Sequence, residues 1–293
     1  MWRFVQVTDT HIGGTEDRDG SNRVICTLMP DVIRCLRKDL TEVSPDFVLA
    51  TGDIATEQTR DAIFAARDLL DSLGIRYYPV GGDADFARDG GRDWFVDAFQ
   101  AQLPVRDTVY SFTHKGLHIS VLDPWWRWPD GTLSPSLDGL VGNYCWQIPP
   151  HQFEWLEHDL TAHAELPTLI ALHCPAVDVP PRLKARGCAE KGHLGNRGLL
   201  FKLLERHKQV KAIFSGHAHM NFIAKEGDLT HIVTAGLAEY PVEYRVISVF
   251  ADRLEVSTQG LSDESFAAHS LIGENHWGTG EDCDRRAVIP FSA

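Results

Sequence analysis

A chain of 293 residues, 43% hydrophobic and 24% charged, is long and apolar enough to bury a large core without disulfide staples, which excludes a disordered or mini-protein class. Lys and Arg number 28 against 41 Asp and Glu, a formal charge of −13, so no basic surplus exists to neutralise a nucleic-acid polymer or an anionic membrane surface. No apolar run reaches the ~18 residues that span a bilayer.

Residues 2–8 read as a strand that runs into a polar turn at Asp9. Residues 23–40 place Val24, Leu28, Val32, Ile33, Leu36 and Leu40 at helical spacing, with Pro30 as a kink or restart. A strand over 46–50 runs into Thr51-Gly52-Asp53. A helix over 58–73 is closed by Gly74 in the position of a C-terminal cap, and a strand over 75–80 runs into Gly81-Gly82-Asp83-Ala84-Asp85. Helix, strand and acidic loop therefore repeat, which points to an α/β fold with its chemistry at strand ends. In the second half, strands over 109–112 and 117–122 flank a turn at His114-Lys115-Gly116, and 151–163 is helical with Phe153, Leu156 and Leu160 on one face. A strand over 168–172 stops at His173, and one over 212–214 stops at Gly216-His217-Ala218-His219. Strands starting near His231, Tyr244 and Leu254 follow, so two sheets packed face to face with helices outside are expected.

The organisation predicted is one domain over 1–260 and an irregular C-terminal extension, 261–293, packed on it. Two long stretches, 123–145 with Trp125, Trp126 and Trp128, and 175–197 with Arg182, Lys184, Arg186, Lys191 and Arg197, read as rim loops. Six cysteines without a C-x-x-C pair, and an opening segment unlike an export leader, lead to the expectation of reduced thiols in a cytoplasm.

The chemistry is carried by an ordered series of polar clusters: Asp9-Thr10-His11, Gly52-Asp53, Asp83, His173 and His217-Ala218-His219. On a strand, His-x-His and Asp-x-His would send both side chains to one side, because side chains alternate. Mixed carboxylate and imidazole ligands suit Mn, Fe or Zn rather than Ca.

In these motifs the sequence resembles the calcineurin-like metallophosphoesterase superfamily, whose pattern is D-x-H, G-D, G-N-H-D or G-N-H-E, H, and G-H-x-H. The Gln152, Trp155-Leu156 and His173-Cys174-Pro175 stretches resemble its cyclic-nucleotide and glycerophosphodiester phosphodiesterases. The resemblance implies a four-layered α/β/β/α sandwich and two transition-metal ions (Mn, Fe or Zn). One ion would sit on Asp9, His11, Asp53 and His219, the other on Asp53, Asp83, His173 and His217, with Asp53 bridging. It implies hydrolysis of a small phosphodiester, a metal-bound hydroxide attacking in line. The other readings are a phosphomonoesterase and a non-catalytic metal-binding scaffold of the same fold. A homo-oligomer is compatible with the sequence.

One departure matters: the family's Asn-His is here Asp83-Ala84. A third carboxylate would leave a dimetal hydroxide centre formally neutral rather than positive, and Ala84 removes an imidazole beside the leaving group. In a register shifted by two, Asp85 would be the ligand; the Gly82-Asp83 alignment favours Asp83. His193 is the candidate replacement acid, with His118 as another. His193, Asn196, Arg182 and Trp126 are the candidate substrate-binding residues.

Overall fold

The computed structural model describes residues 1–139, 142, 144–188 and 194–292. His193 lies outside them.

The chain opens with β1 (Trp2–Val7), followed by a hairpin of β2 (Arg18–Asp19) and β3 (Arg23–Val24) and then α1 (Met29–Val43). Helix α1 starts later than the periodicity predicts. Pro30 falls in its first turn, where a missing N–H costs nothing, so it opens the helix instead of kinking it. Next come β4 (Phe47–Thr51), α2 (Arg60–Asp71), β5 (Tyr77–Val80), α3 (Asp83–Phe86) and α4 (Gly91–Ala98). The Thr59 hydroxyl caps α2, and Gly74, at φ +68°, ends the turn beyond it.

The second half holds β6 (Tyr110–His114), β7 (Leu117–Val121), β8 (Trp125–Arg127), β9 (Leu133–Ser134), β10 (Cys145–Gln147) and α5 (Pro150–Ala162). It continues through β11 (Thr168–Ala171), α6 (Pro181–Lys184), α7 (Arg197–Leu204), β12 (Val210–Ser215), β13 (Phe222–Glu226) and β14 (Leu229–Val233). It ends with β15 (Glu243–Val249), β16 (Arg253–Gly260), α8 (Ser265–Ser270) and β17 (Arg286–Pro290).

Two six-stranded sheets result, ordered β17-β16-β15-β1-β4-β5 and β13-β14-β12-β11-β7-β6. They pack face to face, with Phe4 and Phe214 in edge contact across the interface and Gln6 bonded to Ser215 O of the opposite sheet and to Thr234 just beyond β14. Alternation sorts the layers. Leu169, Ala171 and Phe214 face the inter-sheet core, whereas Ile170, Leu172 and Ile213 meet Leu156 and Leu160 of α5 and Leu200 and Leu203 of α7. The architecture is the four-layered α/β/β/α sandwich.

Two expectations are corrected. Segment 261–293 is not an irregular appendage: β17 pairs with β16 as the edge strand of the first sheet, through Leu254 opposite Ile289 and Val256 opposite Ala287. The described part of the stretch 123–145 also carries strands, β8 pairing with β9 and with β10, which begins at its far end.

Strands β1, β4 and β5 run parallel, as do β7, β11, β12 and β14. Their C-terminal ends share one edge of the sandwich, where Asp9, Asp53, Asp83, His173 and His217 all fall.

Candidate metal centre

The loops at that edge bring the predicted residues together. Ligand atoms of Asp9, His11 and His219 lie within 4.8 Å of one another, and so do those of Asp83, His173 and His217. Asp53 stands between the groups, Oδ1 3.3 Å from His173 Nε2 and Oδ2 3.8 Å from His11 Nε2. Within them, Asp9 Oδ1 is 3.1 Å from His219 Nε2, and Asp83 Oδ1 is 3.1 Å from His173 Nε2 and 2.9 Å from His217 Nδ1.

Strand alternation is not what aims the paired residues. Asp9, His11, Asp53, His217 and His219 all lie beyond strand ends with φ between +42° and +64°. Left-handed backbone is costly for residues with a Cβ, and five such residues in one cluster mark a place where the fold holds strain for a purpose. Glycine permits the close approach around them: a Cβ at Gly82 would stand 2.2 Å from Asp53 Oδ1, and one at Gly216 would stand 2.5 Å from Asp9 Oδ2.

Outer hydrogen bonds fix which atoms face inward. Asp9 Oδ2 accepts from the Thr8 hydroxyl (2.6 Å) and the His217 N–H (3.0 Å), which leaves Oδ1 buried without a hydrogen-bond partner. His173 Nδ1 donates to Thr51 O (2.8 Å), which leaves Nε2 likewise without one. His219 Nδ1 donates to the buried Glu239 carboxylate. Such outer acceptors on imidazoles are the arrangement that turns Nε2 into a metal ligand.

Electrostatics agree. Burial alone would lift the Asp9 carboxyl, but His219, His173 and His11 hold it well below the ordinary range. Burial would likewise lift Asp83, but His217 and His173 hold it well below. Burial opposes protonation of His219, yet Asp9 and Glu239 raise it to about 10; Asp53 and Asp9 raise His173 well above its usual value against the same burial. The pocket demands positive charge, and its orphaned Asp9 Oδ1 and His173 Nε2 point where a cation would satisfy them. The donor set fits transition-metal ions.

Of the two registers, it is Asp83 whose carboxylate joins the His173 and His217 group. The Asp85 carboxylate accepts the N–H groups of Ile54, Ala55 and Gly82 and ties the β4 and β5 loops together. Burial, and then Asp53, pushes it up to about 7. Ala84 sits in the first turn of α3 and gives Asp53 Oδ1 a backbone N–H at 2.8 Å.

The other candidates are placed differently. Arg182, a candidate substrate-binding residue, is paired with Asp284 and Glu281. Asn196 is engaged at both ends, Oδ1 accepting from Ile148 N (3.0 Å) and Nδ2 donating to Ile148 O (2.9 Å). Trp126 is 1% exposed and lines a narrow crevice beneath Asp83 and His173, so it offers no open stacking face. Its cross-strand partner Trp146 meets the His217 ring edge-on at 4.6 Å, with Tyr144 beyond it. His118 belongs to the other end of its strand. Sequence reasoning overlooks Glu239, Trp146 and Tyr144, which belong to no motif and carry no signal in their local spacing.

Residues 3–221 match the family model described as calcineurin-like phosphoesterase. The chain belongs to the calcineurin-like phosphoesterase family. It is 28% identical over 221 residues to a 3',5'-cyclic-nucleotide phosphodiesterase of Nostoc sp., covering 75% of this chain and 72% of that one. It is 24% identical over 225 residues to a probable glycerophosphodiester phosphodiesterase of Arcobacter nitrofigilis, covering 73% and 71%. A dimetal phosphatase from Danio rerio shares the fold across 99% of both chains, with a TM-score of 0.71 and 16% identity. Membership of this family, with the cluster described, makes the chain a metal-dependent phosphoesterase. No helix among the described residues is long and apolar enough to cross a membrane.

Proposed function

We propose that this phosphoesterase hydrolyses small phosphodiesters at a two-metal centre. One ion would be held by Asp9, His11 and His219, the other by Asp83, His173 and His217, with Asp53 shared. The observation that carries this reading is Asp53, whose two carboxylate oxygens face the two separate groups. Two ions so held supply Lewis acidity for the phosphoryl oxygens and an activated nucleophile for in-line displacement.

The chain's own residues shape the rest. Thr51 O and Glu239 orient His173 and His219, and Asp85 holds the loop that presents Asp83. Three carboxylates lower the positive charge offered to a substrate, which favours a diester monoanion over a monoester dianion. Ala84 offers only its backbone N–H, so no imidazole at that position protonates the leaving group. Trp146 and Tyr144 give the His217 side a wall on which a planar group of the ester can rest.

The test is metal content together with turnover of bis-(p-nitrophenyl) phosphate and p-nitrophenyl phosphate. Preferential cleavage of the diester, lost on chelation, is expected. Preference for the monoester would overturn the substrate class, and bound metal without turnover of either would favour a non-catalytic binder.

A further inference from the structure

The three imidazoles whose Nε2 atoms face the cluster differ in what their outer nitrogens meet. His173 faces a carbonyl oxygen and His219 a carboxylate, both acceptors. His11 Nδ1 instead faces a guanidinium: Arg18 Nη2 is 3.4 Å away. A guanidinium only donates. With His11 Nε2 turned to a metal, the ring proton resides on Nδ1, and the contact becomes donor against donor. Arg18 is then a cation at the rim of the centre with nothing to bond there.

Its surroundings reinforce that reading. Other arginines near the parallel-strand edge are committed: Arg92 to Asp123, Arg182 to Asp284 and Arg197 to Asp178. Arg18 is exposed, and among the described residues no carboxylate forms an ion pair with it. The hairpin that carries it is nonetheless held firmly. Asp17 Oδ1 accepts from the Thr27 N–H and hydroxyl, Asn22 bonds Ile272 N and Asn275 O, and Asn275 Nδ2 returns to Ser21 O (2.6 Å). The C-terminal segment therefore clamps the hairpin that presents an unpaired guanidinium beside a metal ligand. In a chain of charge −13, whose candidate centre carries three carboxylates, such a cation has a clear use.

We propose that Arg18 is the anion-recognising arm of the site, donating to an oxyanion of the substrate's phosphoryl group. The inference rests on the phosphoesterase reading of the cluster and deepens it by naming a residue that binds the ester's charge. A planar guanidinium can give two parallel N–H bonds to a phosphoryl group, a geometry lysine does not reproduce.

The experiment compares the metal-loaded wild type with Arg18→Ala and Arg18→Lys, measuring calorimetric binding of inorganic phosphate, metal content, and kcat and KM for bis-(p-nitrophenyl) phosphate. Arg18→Ala should weaken phosphate binding by about 10- to 100-fold, as expected for losing a charge-assisted hydrogen bond. It should raise KM more than it lowers kcat and leave metal content unchanged, with Arg18→Lys intermediate. Phosphate affinity within twofold of wild type in Arg18→Ala, with metal retained, would overturn the proposal. Weakened phosphate binding in that variant, in a protein whose wild type cleaves no diester, would uphold the arm while sinking the diester reading.

Discussion

Two groups of histidine and aspartate lie at opposite edges of the sandwich, built from the same residue types, each holding a set of ligand atoms within 4.8 Å of one another. At one edge stand Asp9, His11, Asp53, Asp83, His173, His217 and His219; at the other, His118, Asp159 and His163. In the second group Asp159 Oδ2 takes His118 Nε2 (3.0 Å) and Ser120 (2.7 Å), and Oδ1 takes Ser111 (2.8 Å). The Thr113 hydroxyl meets His118 Nδ1 at 2.9 Å, and His163 stacks on the His118 ring. His118 lies near the start of β7, far from the C-terminal strand ends. The first group has orphaned buried atoms and left-handed backbone at five residues; the second has a closed network on regular elements. Residue type is shared, and what separates a chemical site from a structural one is whether the polar atoms are already satisfied.

The largest effect expected from breaking this contrast is at Asp53. Asp53→Asn removes the shared carboxylate and should abolish diester turnover while the fold, read by circular dichroism, survives; full activity would refute its role. At the closed group the outcome inverts. Asp159→Ala strands His118 and should cost about 3 kcal/mol of unfolding free energy, read by urea titration, with kcat/KM unchanged. The pH dependence follows in sign. Burial would raise the Asp159 carboxyl, but the His118, Ser120 and Ser111 hydrogen bonds lower it below 3.8, so its contribution is complete above that pH and lost as pH falls through the folded value. The variant's stability should therefore fall less steeply in acid.

Ala84→His tests the openness of the first group. A positioned general acid is worth ~10²-fold or more, so restoring the imidazole should accelerate alkyl diesters by up to that factor and aryl diesters little. Equal acceleration of both would show that position 84 does not serve the leaving group.

His231 presents a third arrangement. Its two ring nitrogens are buried without partners beside Phe201, yet among the described residues no metal-binding cluster includes it. Burial, aided by Arg197, pushes it down to about 4. Between about 6.5 and about 4 the unfolded chain binds a proton that the folded chain refuses, so stability should drop by about 2–3 kcal/mol as pH falls across that window. His231→Leu should flatten this limb and raise Tm. An unchanged profile would show that folding leaves the ring's proton affinity unshifted.

That these residues share one edge was legible in the sequence because each sits just past an apolar strand, and the chain order of D-x-H, G-D, Asp83, His173 and G-H-A-H does not depend on how the loops fold. The sandwich was legible for the same reason: strand and helix periodicities alternate cleanly up to His219. What escaped depends on contacts between distant segments. Glu239, Arg18 and Trp146 meet His219, His11 and His217 only after folding, and no local spacing marks them. The Trp-rich stretch shows why composition misleads: Trp126 turns into the core, and its cross-strand partner Trp146, twenty residues on, meets His217. Likewise β17 is short, half-exposed and polar at its start, so only its pairing with β16 makes it a strand.

Metal stoichiometry measured on the wild type, Asp53→Asn and Asp159→Asn tests most directly whether the unsatisfied group, and not its satisfied counterpart, is the metal centre. The wild type and Asp159→Asn should each carry about two transition-metal ions per chain, and Asp53→Asn clearly fewer. Full occupancy in Asp53→Asn, or its loss in a folded Asp159→Asn, would contradict the account.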